Sequence, residues 1–386
     1  VAKVKGTSWL IAALLGLAAI SMTAVLIGAE ATPPQVHAEF PAVVPADLPF
    51  NILISADRPI SFTLRYGGEQ HEAVAQELSG EALLRLELLA LPGVQTLELT
   101  ARDRAGNESH HRFEIFGIPL TQPLVRAPER VVPGEPFSIR VALPPEAIAI
   151  SELRISLADV PLRVFRNDLE AVALGAVPLG SAAGEQLLTI KLIDGFDRTA
   201  VVHHTLRVGD YPQPVQELNV AANVLSVVTP ENRALEAAVV EAAHAAAKPE
   251  PVWREPFLLP AEGRLTSPFG VPRRFVRGGQ VAFHHGTDIA APVGTPIMAT
   301  NRGTVVAAGF YPIRGGFTMI DHGGGVFSHY FHQARLHVQV GDLVERGALI
   351  GEIGSTGLST GPHLHWEMRV SGISTDPLAW VDKLFP

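Results

Sequence analysis

Gly361-Pro362-His363-Leu364-His365-Trp366 is the stretch on which the fold and chemistry of this chain turn. A Gly-Pro turn leads into an alternating run, the pattern of a β-strand. On a strand, residues two apart share a face, so the imidazoles of His363 and His365 open into the same space. One can bind a metal while the other stays free beside an open coordination position. A lone His-x-His is a weak metal signal, and its weight here comes from two other segments.

The first is His284-His285-Gly286-Thr287-Asp288. Gly286 followed by Thr287-Asp288-Ile289 reads as a turn entering a strand, which brings His284 and Asp288 toward one ion. Two histidines and one carboxylate make the ligand set of a hydrolytic zinc centre, with water in the fourth position. Zinc lowers the pKa of such a water to about 7, so hydroxide is available at neutral pH. The second segment is Tyr330-Phe331-His332. Two apart on a strand, Tyr330 and His332 are expected on one face, with the imidazole approaching the site from the side.

The remaining polar residues nearby have plainer readings. His285 is expected to face away from its neighbour's ligand direction. His322 sits in the turn Asp321-His322-Gly323-Gly324-Gly325, where a hydrogen-bonding role is expected, and His329 and His337 are expected at the surface or groove. Glu367 shares a face with His363 and His365 and either orients an imidazole or is a solvated strand-end charge. Arg273, Arg274 and Arg277 precede His284 and either border the groove or, the plainer reading, are ordinary surface arginines.

Around these motifs, glycines punctuate short apolar runs such as Gly303-Thr304-Val305-Val306-Ala307-Ala308-Gly309 and Gly347-Ala348-Leu349-Ile350-Gly351. The runs are too short for helices, and residues 252–386 read as a compact antiparallel β domain with tight turns.

From residue 266 to 380 the chain resembles the LytM/lysostaphin-type zinc metalloendopeptidases, which cut peptide bonds in peptidoglycan. The resemblance rests on Ser267-Pro268-Phe269-Gly270, His284-His285-Gly286-Thr287-Asp288, Ile320-Asp321-His322-Gly323, Tyr330-Phe331-His332, Gly354-Ser355-Thr356-Gly357 and Gly361-Pro362-His363-Leu364-His365, in that order. It implies His284, Asp288 and His365 as ligands of one zinc ion. It also implies His332 and His363 as two non-ligand catalytic histidines, either of which can serve as the proton acceptor. Some members of the family lack zinc ligands and activate amidases instead. All five positions are filled here, which favours a zinc endopeptidase over a non-catalytic activator or a wall-binding protein.

Upstream, Thr229-Pro230-Glu231 has the composition of a helix start, and an Ala-rich stretch continues to Lys248-Pro249. The helix is either a spacer or an arm packed on the C-terminal domain. Residues 34–209 carry short β runs between Pro, Gly and Asp. Ile60-Ser61-Phe62-Thr63-Leu64-Arg65-Tyr66 and Phe137-Ser138-Ile139-Arg140-Val141-Ala142-Leu143 both alternate.

This region is internally repeated. Val43-Val44-Pro45 is echoed by Val131-Val132-Pro133, and Asp103-Arg104 before His110-His111 by Asp197-Arg198 before His203-His204. Two immunoglobulin-like β-sandwiches follow from this. Neither His-His pair is a chelate, because adjacent strand residues point to opposite faces.

At the N-terminus, Lys3 and Lys5 precede an uncharged apolar run over residues 9–28, long enough to span a bilayer. Ala29-Glu30-Ala31 offers a cleavage site, so a cleaved signal and an uncleaved membrane anchor both remain open. Either places the protein outside the cytoplasm, in the cell envelope or secreted.

Composition agrees. The 386 residues are 47% hydrophobic with no cysteine, which excludes disulfides and thiolate sites. A net charge of −9 argues against nucleic acid as a partner. From residue 252 onward there are 11 Lys/Arg against 10 Asp/Glu, so the acidity lies upstream.

The expected architecture is all-β and multidomain. It comprises a signal or anchor helix (1–33), immunoglobulin-like domains (34–117 and 118–209), a helical linker (210–251) and a zinc metallopeptidase domain (252–386). Peptidoglycan is the expected partner.

Overall fold

Alternation along the strands is carried into burial. In Ile60–Tyr66, Ile60, Phe62, Leu64 and Tyr66 are buried while Ser61 and Arg65 face solvent. Phe137–Ala142 buries every second residue in the same way. A computed structural model describes residues 32–385, except 75, 79–80, 144–149, 167–169, 212, 218–224 and 275–279. The apolar run at residues 9–28, the Ala29-Glu30-Ala31 motif and Arg277 therefore lie outside the described residues.

Two compact units divide the chain. One holds the described residues from Thr32 to Thr121 together with Ile193–Thr199; the other holds those of Gln122–Leu192 and from Ala200 onward. In the first unit a four-stranded and a five-stranded sheet close on one core built from residues such as Phe50, Ile52, Leu64, Leu97 and Ile115.

The second module, from Leu124 to Val208, repeats the plan with sheets of four and five strands. Each module begins its five-stranded sheet with a short strand running parallel to its last. Val43 pairs with Phe116, and Arg130 with Arg207. The repeat is thus present in space, with one change of alignment. Asp103 Oδ1 accepts from Ala105 N and Asn107 N, both at 2.9 Å, closing its hairpin turn. The residue that does this in the second module is Asp194, which accepts from Phe196 N at 2.9 Å and Arg198 N at 3.0 Å. Asp197 instead matches Gly106, and both have positive φ. The His-His pairs diverge: His110 meets Thr100, and His111 stacks on Phe113.

The C-terminal domain is built on one antiparallel sheet. Its order is Arg264–Ser267, Thr287–Ala290, His363–Val370, Val326–Leu336, Gly315–Asp321, Gly303–Tyr311 and Leu343–Val344. One face carries Leu364, Trp366, Met368 and Tyr330 into a core that also takes in Phe165, Val172 and Leu174 of the second module. The triplet Gly323-Gly324-Gly325, all at positive φ, makes room for this junction. A Cβ on Gly323 would lie 1.9 Å from the Glu250 carbonyl oxygen, and one on Gly324 would lie 3.3 Å from the Phe165 ring.

The other face of the sheet receives the linker helix Pro230–Ala245. Thr229 caps it, its Oγ1 accepting from Asn232 N at 3.2 Å. Glu236, Val240 and Ala243, four and three residues apart, form its buried stripe. Val240 and Ala243 pack on Ala307, Phe317, Met319, Phe327 and Phe331, so the helix is an arm against the sheet and not a spacer.

Candidate metal centre

The strand register assembles the centre. Asp288 pairs with His365 on one side of His363–Val370, and Phe331 pairs with His365 on the other. Gly286 lets the preceding turn close in, since a Cβ there would lie 2.5 Å from the Trp366 carbonyl oxygen and 2.8 Å from the His365 ring. Three ligand atoms meet as a result. His284 Nε2 lies 3.0 Å from Asp288 Oδ1 and 3.0 Å from His365 Nδ1, and the last two are 2.8 Å apart. Zinc–nitrogen and zinc–oxygen bonds of about 2.0–2.2 Å put tetrahedral ligand atoms about 3.3 Å from one another, close to this spacing.

Hydrogen bonds on the far side of each ring fix which nitrogen faces inward. His284 Nδ1 donates to the Pro268 carbonyl at 2.8 Å. His365 Nε2 donates to Glu367 Oε1 at 3.1 Å. With both rings neutral, three lone pairs converge on one point, an arrangement that calls for a cation or a proton.

Burial opposes charge on His365, but the Asp288 and Glu367 carboxylates raise its pKa to about 9. Burial likewise pushes the Asp288 carboxyl up, yet hydrogen bonds with His284 and His365 hold it far below the usual carboxylate range. Among the described residues this is the one His/Asp/Glu cluster with the spacing to hold a metal ion, and its donor set fits zinc.

His363 and His332 lie beside it, their ring centroids 4.7 Å apart. His363 Nδ1 donates to the Gly361 carbonyl and His332 Nδ1 to the Thr356 carbonyl, each at 2.8 Å. Both Nε2 lone pairs stay available, and His363 Nε2 is 3.9 Å from Asp288 Oδ1. Burial, reinforced by His363 and His365, lowers the His332 pKa to about 3, so that ring is neutral.

The structure brings together all five residues singled out from the sequence, but His332 arrives by a different route. Tyr330 pairs with Trp366 and points into the core, its hydroxyl accepting from Thr300 N. Regular alternation would send His332 there too. Instead His332 takes a φ of +62° where the ladder register shifts, and it turns toward the site face. Tyr330 and His332 therefore do not share a face.

Other expectations sort themselves. Glu367 is buried, held by His365 and by Arg369 Nε at 2.9 Å, so it orients an imidazole and is not a solvated charge. His322 is a buried hydrogen-bonding residue, meeting the Arg302 carbonyl at 2.7 Å and Ser328 Oγ at 2.8 Å. His285 is exposed and outside the cluster.

His329 is not at the surface: it is fully buried between Phe317, Phe331 and His244, because the helix covers its face of the sheet. His337 is part-exposed and bonds Glu352. Arg273 is not an ordinary surface arginine either. It is half-buried, bonds Ser267 Oγ, and reaches Asp288 Oδ2 at 3.3 Å. The carbonyls of Pro268, Thr356 and Gly361 carry no side-chain signature, and only the Gly and Pro residues around them mark their loops.

Residues 282–377 match the model of Peptidase family M23. The chain is 40% identical over 114 residues to the peptidoglycan DD-endopeptidase ShyC of Vibrio cholerae, covering 30% of this chain and 26% of that protein. It is 39% identical over 116 residues to the DD-carboxypeptidase/endopeptidase Mpg of Neisseria meningitidis (30% and 26%). To lysostaphin of Staphylococcus staphylolyticus it is 37% identical over 112 residues (28% and 23%). The match thus spans about a quarter of these curated relatives' length. Among solved structures, a putative peptidase M23 from Pseudomonas aeruginosa is 26% identical, covers 66% of this chain and 96% of its own, and has a TM-score of 0.48. Residues 282–377 form a domain of peptidase family M23.

Proposed function

We propose that the protein is an exported zinc endopeptidase that hydrolyses peptide bonds in the stem peptides or cross-bridges of peptidoglycan. The observation that carries this reading is the convergence of His284 Nε2, Asp288 Oδ1 and His365 Nδ1 beside two further imidazoles with free Nε2 atoms. The relatives named as peptidoglycan endopeptidases support the substrate class.

One zinc ion is held by His284, Asp288 and His365, and it supplies Lewis acidity at neutral pH. His363 and His332 present their Nε2 atoms at the edge of the cluster. Each is pre-oriented by a backbone carbonyl, so each can take a proton from the attacking water and return it to the leaving amine. Glu367 and the Pro268 carbonyl hold the ligand rings in the tautomers that face inward, and Arg273 takes the second oxygen of Asp288.

Upstream, residues 1–33 direct export and serve as a cleaved signal or a membrane anchor. The modules 34–117 and 118–209 are immunoglobulin-like spacers, wall binders or an inhibitory cover over the groove, 210–251 links them to the rest, and 252–386 is the catalytic domain of a cell-envelope protein.

The test is mass spectrometry of peptides released from purified peptidoglycan. The zinc-loaded wild type is expected to release peptides. His363→Ala should retain zinc and lose roughly 10²- to 10⁴-fold in rate, and a chelator should abolish release. If zinc-loaded wild type frees no peptide from any wall type, the reading fails.

A further inference from the structure

The linker helix carries a carboxylate where an apolar residue is expected. Glu236 belongs to the buried stripe with Val240 and Ala243, and it is 1% exposed. A buried carboxylate persists only where it is paired and hydrogen-bonded. Glu236 Oε1 accepts from Ile313 N at 2.6 Å. Its Oε2 accepts from Arg314 N at 3.3 Å and from Arg314 Nη1 at 2.6 Å. The guanidinium also lies over the Phe317 and Phe331 rings, 5.4 and 5.5 Å from their centroids.

The loop gripped in this way touches the supports of both non-ligand imidazoles. The Arg314 carbonyl accepts from His332 N at 2.9 Å, at the one residue of that strand with positive φ. The Ile313 carbonyl accepts from Leu358 N at 2.8 Å. Leu358 lies between Thr356 and Gly361, whose carbonyls hold the two rings. Gly316 N donates to Thr356 Oγ1 at 2.8 Å, adding a second tie between the loops.

We propose that Glu236, on a helix outside the family-matched segment, is a positioning residue for His332 and His363, acting through Arg314. The helix is then part of the scaffold of the site, and strain at His332 is held by a contact from 96 residues upstream. The role assigned to the two imidazoles rests on the proposed peptidase reading.

The test uses the full zinc-loaded chain in three variants: Glu236→Gln, Arg314→Gln and, as a packing control, Val240→Ala. Peptide-release kinetics and the NMR signals of the His332 imidazole are read for each. Glu236→Gln keeps the size and one acceptor but loses the ion pair. It is expected to lower kcat about 10- to 100-fold with KM within about twofold, and to shift the His332 signals. Val240→Ala should lower the melting temperature and leave kcat and those signals unchanged.

Unchanged kcat and His332 signals in folded Glu236→Gln would overturn the proposal, as would equal losses in Glu236→Gln and Val240→Ala. Should Glu236→Gln fail to fold, Arg314→Gln decides, with the same expected losses and the same overturning result. If the zinc-loaded wild type releases no peptide, the peptidase reading fails. The His332 signals then decide the positioning role alone.

Discussion

At the scale of single residues, the centre is a problem of tautomers. His284 and His365 present different ring nitrogens, Nε2 and Nδ1, to the same point, because one has a carbonyl behind it and the other a carboxylate. Glu367 is thereby as much a part of the cluster as the ligands it stands behind. Removing it frees the His365 ring to rotate and to choose the other tautomer. Glu367→Ala is expected to weaken zinc binding about 10- to 100-fold, with Glu367→Gln intermediate. Competition against a fluorescent chelator measures this, and wild-type affinity in Glu367→Ala would show that the ring is fixed by something else.

At the scale of elements, the helix Pro230–Ala245 and the sheet beneath it form a pH-sensitive joint. His244 stacks on Phe327 with centroids 4.3 Å apart and meets His329 edge-on. Burial, with Arg369 and Arg163 adding to it, lowers the His244 pKa to about 4. Between pH 6.5 and 4 the unfolded chain therefore binds a proton that the folded chain does not. The stability this confers on the folded state is complete above pH 6.5 and declines as pH falls through that window. Buried His322, also lowered to about 4, adds in the same direction. His244→Leu is expected to lose less stability than wild type between pH 7 and pH 5. Denaturant midpoints at the two pH values measure it, and an equal loss in both proteins would exclude His244 as a source of acid lability.

At the scale of the molecule, the second module and the C-terminal domain share one core. Phe165 is 6% exposed and clusters with Trp253, Phe257 and Trp380, far from it in sequence. Cutting a buried phenylalanine to alanine costs about 3–5 kcal/mol. Phe165→Ala is therefore expected to destabilise the C-terminal domain by that order, although it lies outside residues 252–386. Tryptophan fluorescence during denaturation reports the core that Trp253, Trp366 and Trp380 occupy. A transition unmoved in Phe165→Ala would mean that the two parts unfold independently.

Much of this was legible in the sequence because its signals are local. Alternation marked Ile60–Tyr66 and Phe137–Ala142, Thr229-Pro230-Glu231 marked the helix start, and glycine next to histidine marked the turn before Asp288. Spacing of two put His363 and His365 on one face, and a regular strand keeps that promise. The same rule failed at Tyr330 and His332, since one residue at positive φ inverts the alternation and nothing in the side chains announces it. His329, Arg273 and Glu236 were hidden for a related reason. A side chain's environment depends on what covers its face, and a helix or loop distant in sequence decides that. The sequence by itself determined which side chains meet at the candidate site and that most of them stand on neighbouring strands. Only the tertiary structure decided which ring nitrogen faces inward, what holds it there and what lies behind it, because carbonyl acceptors and long-range packing leave no trace in the residue order.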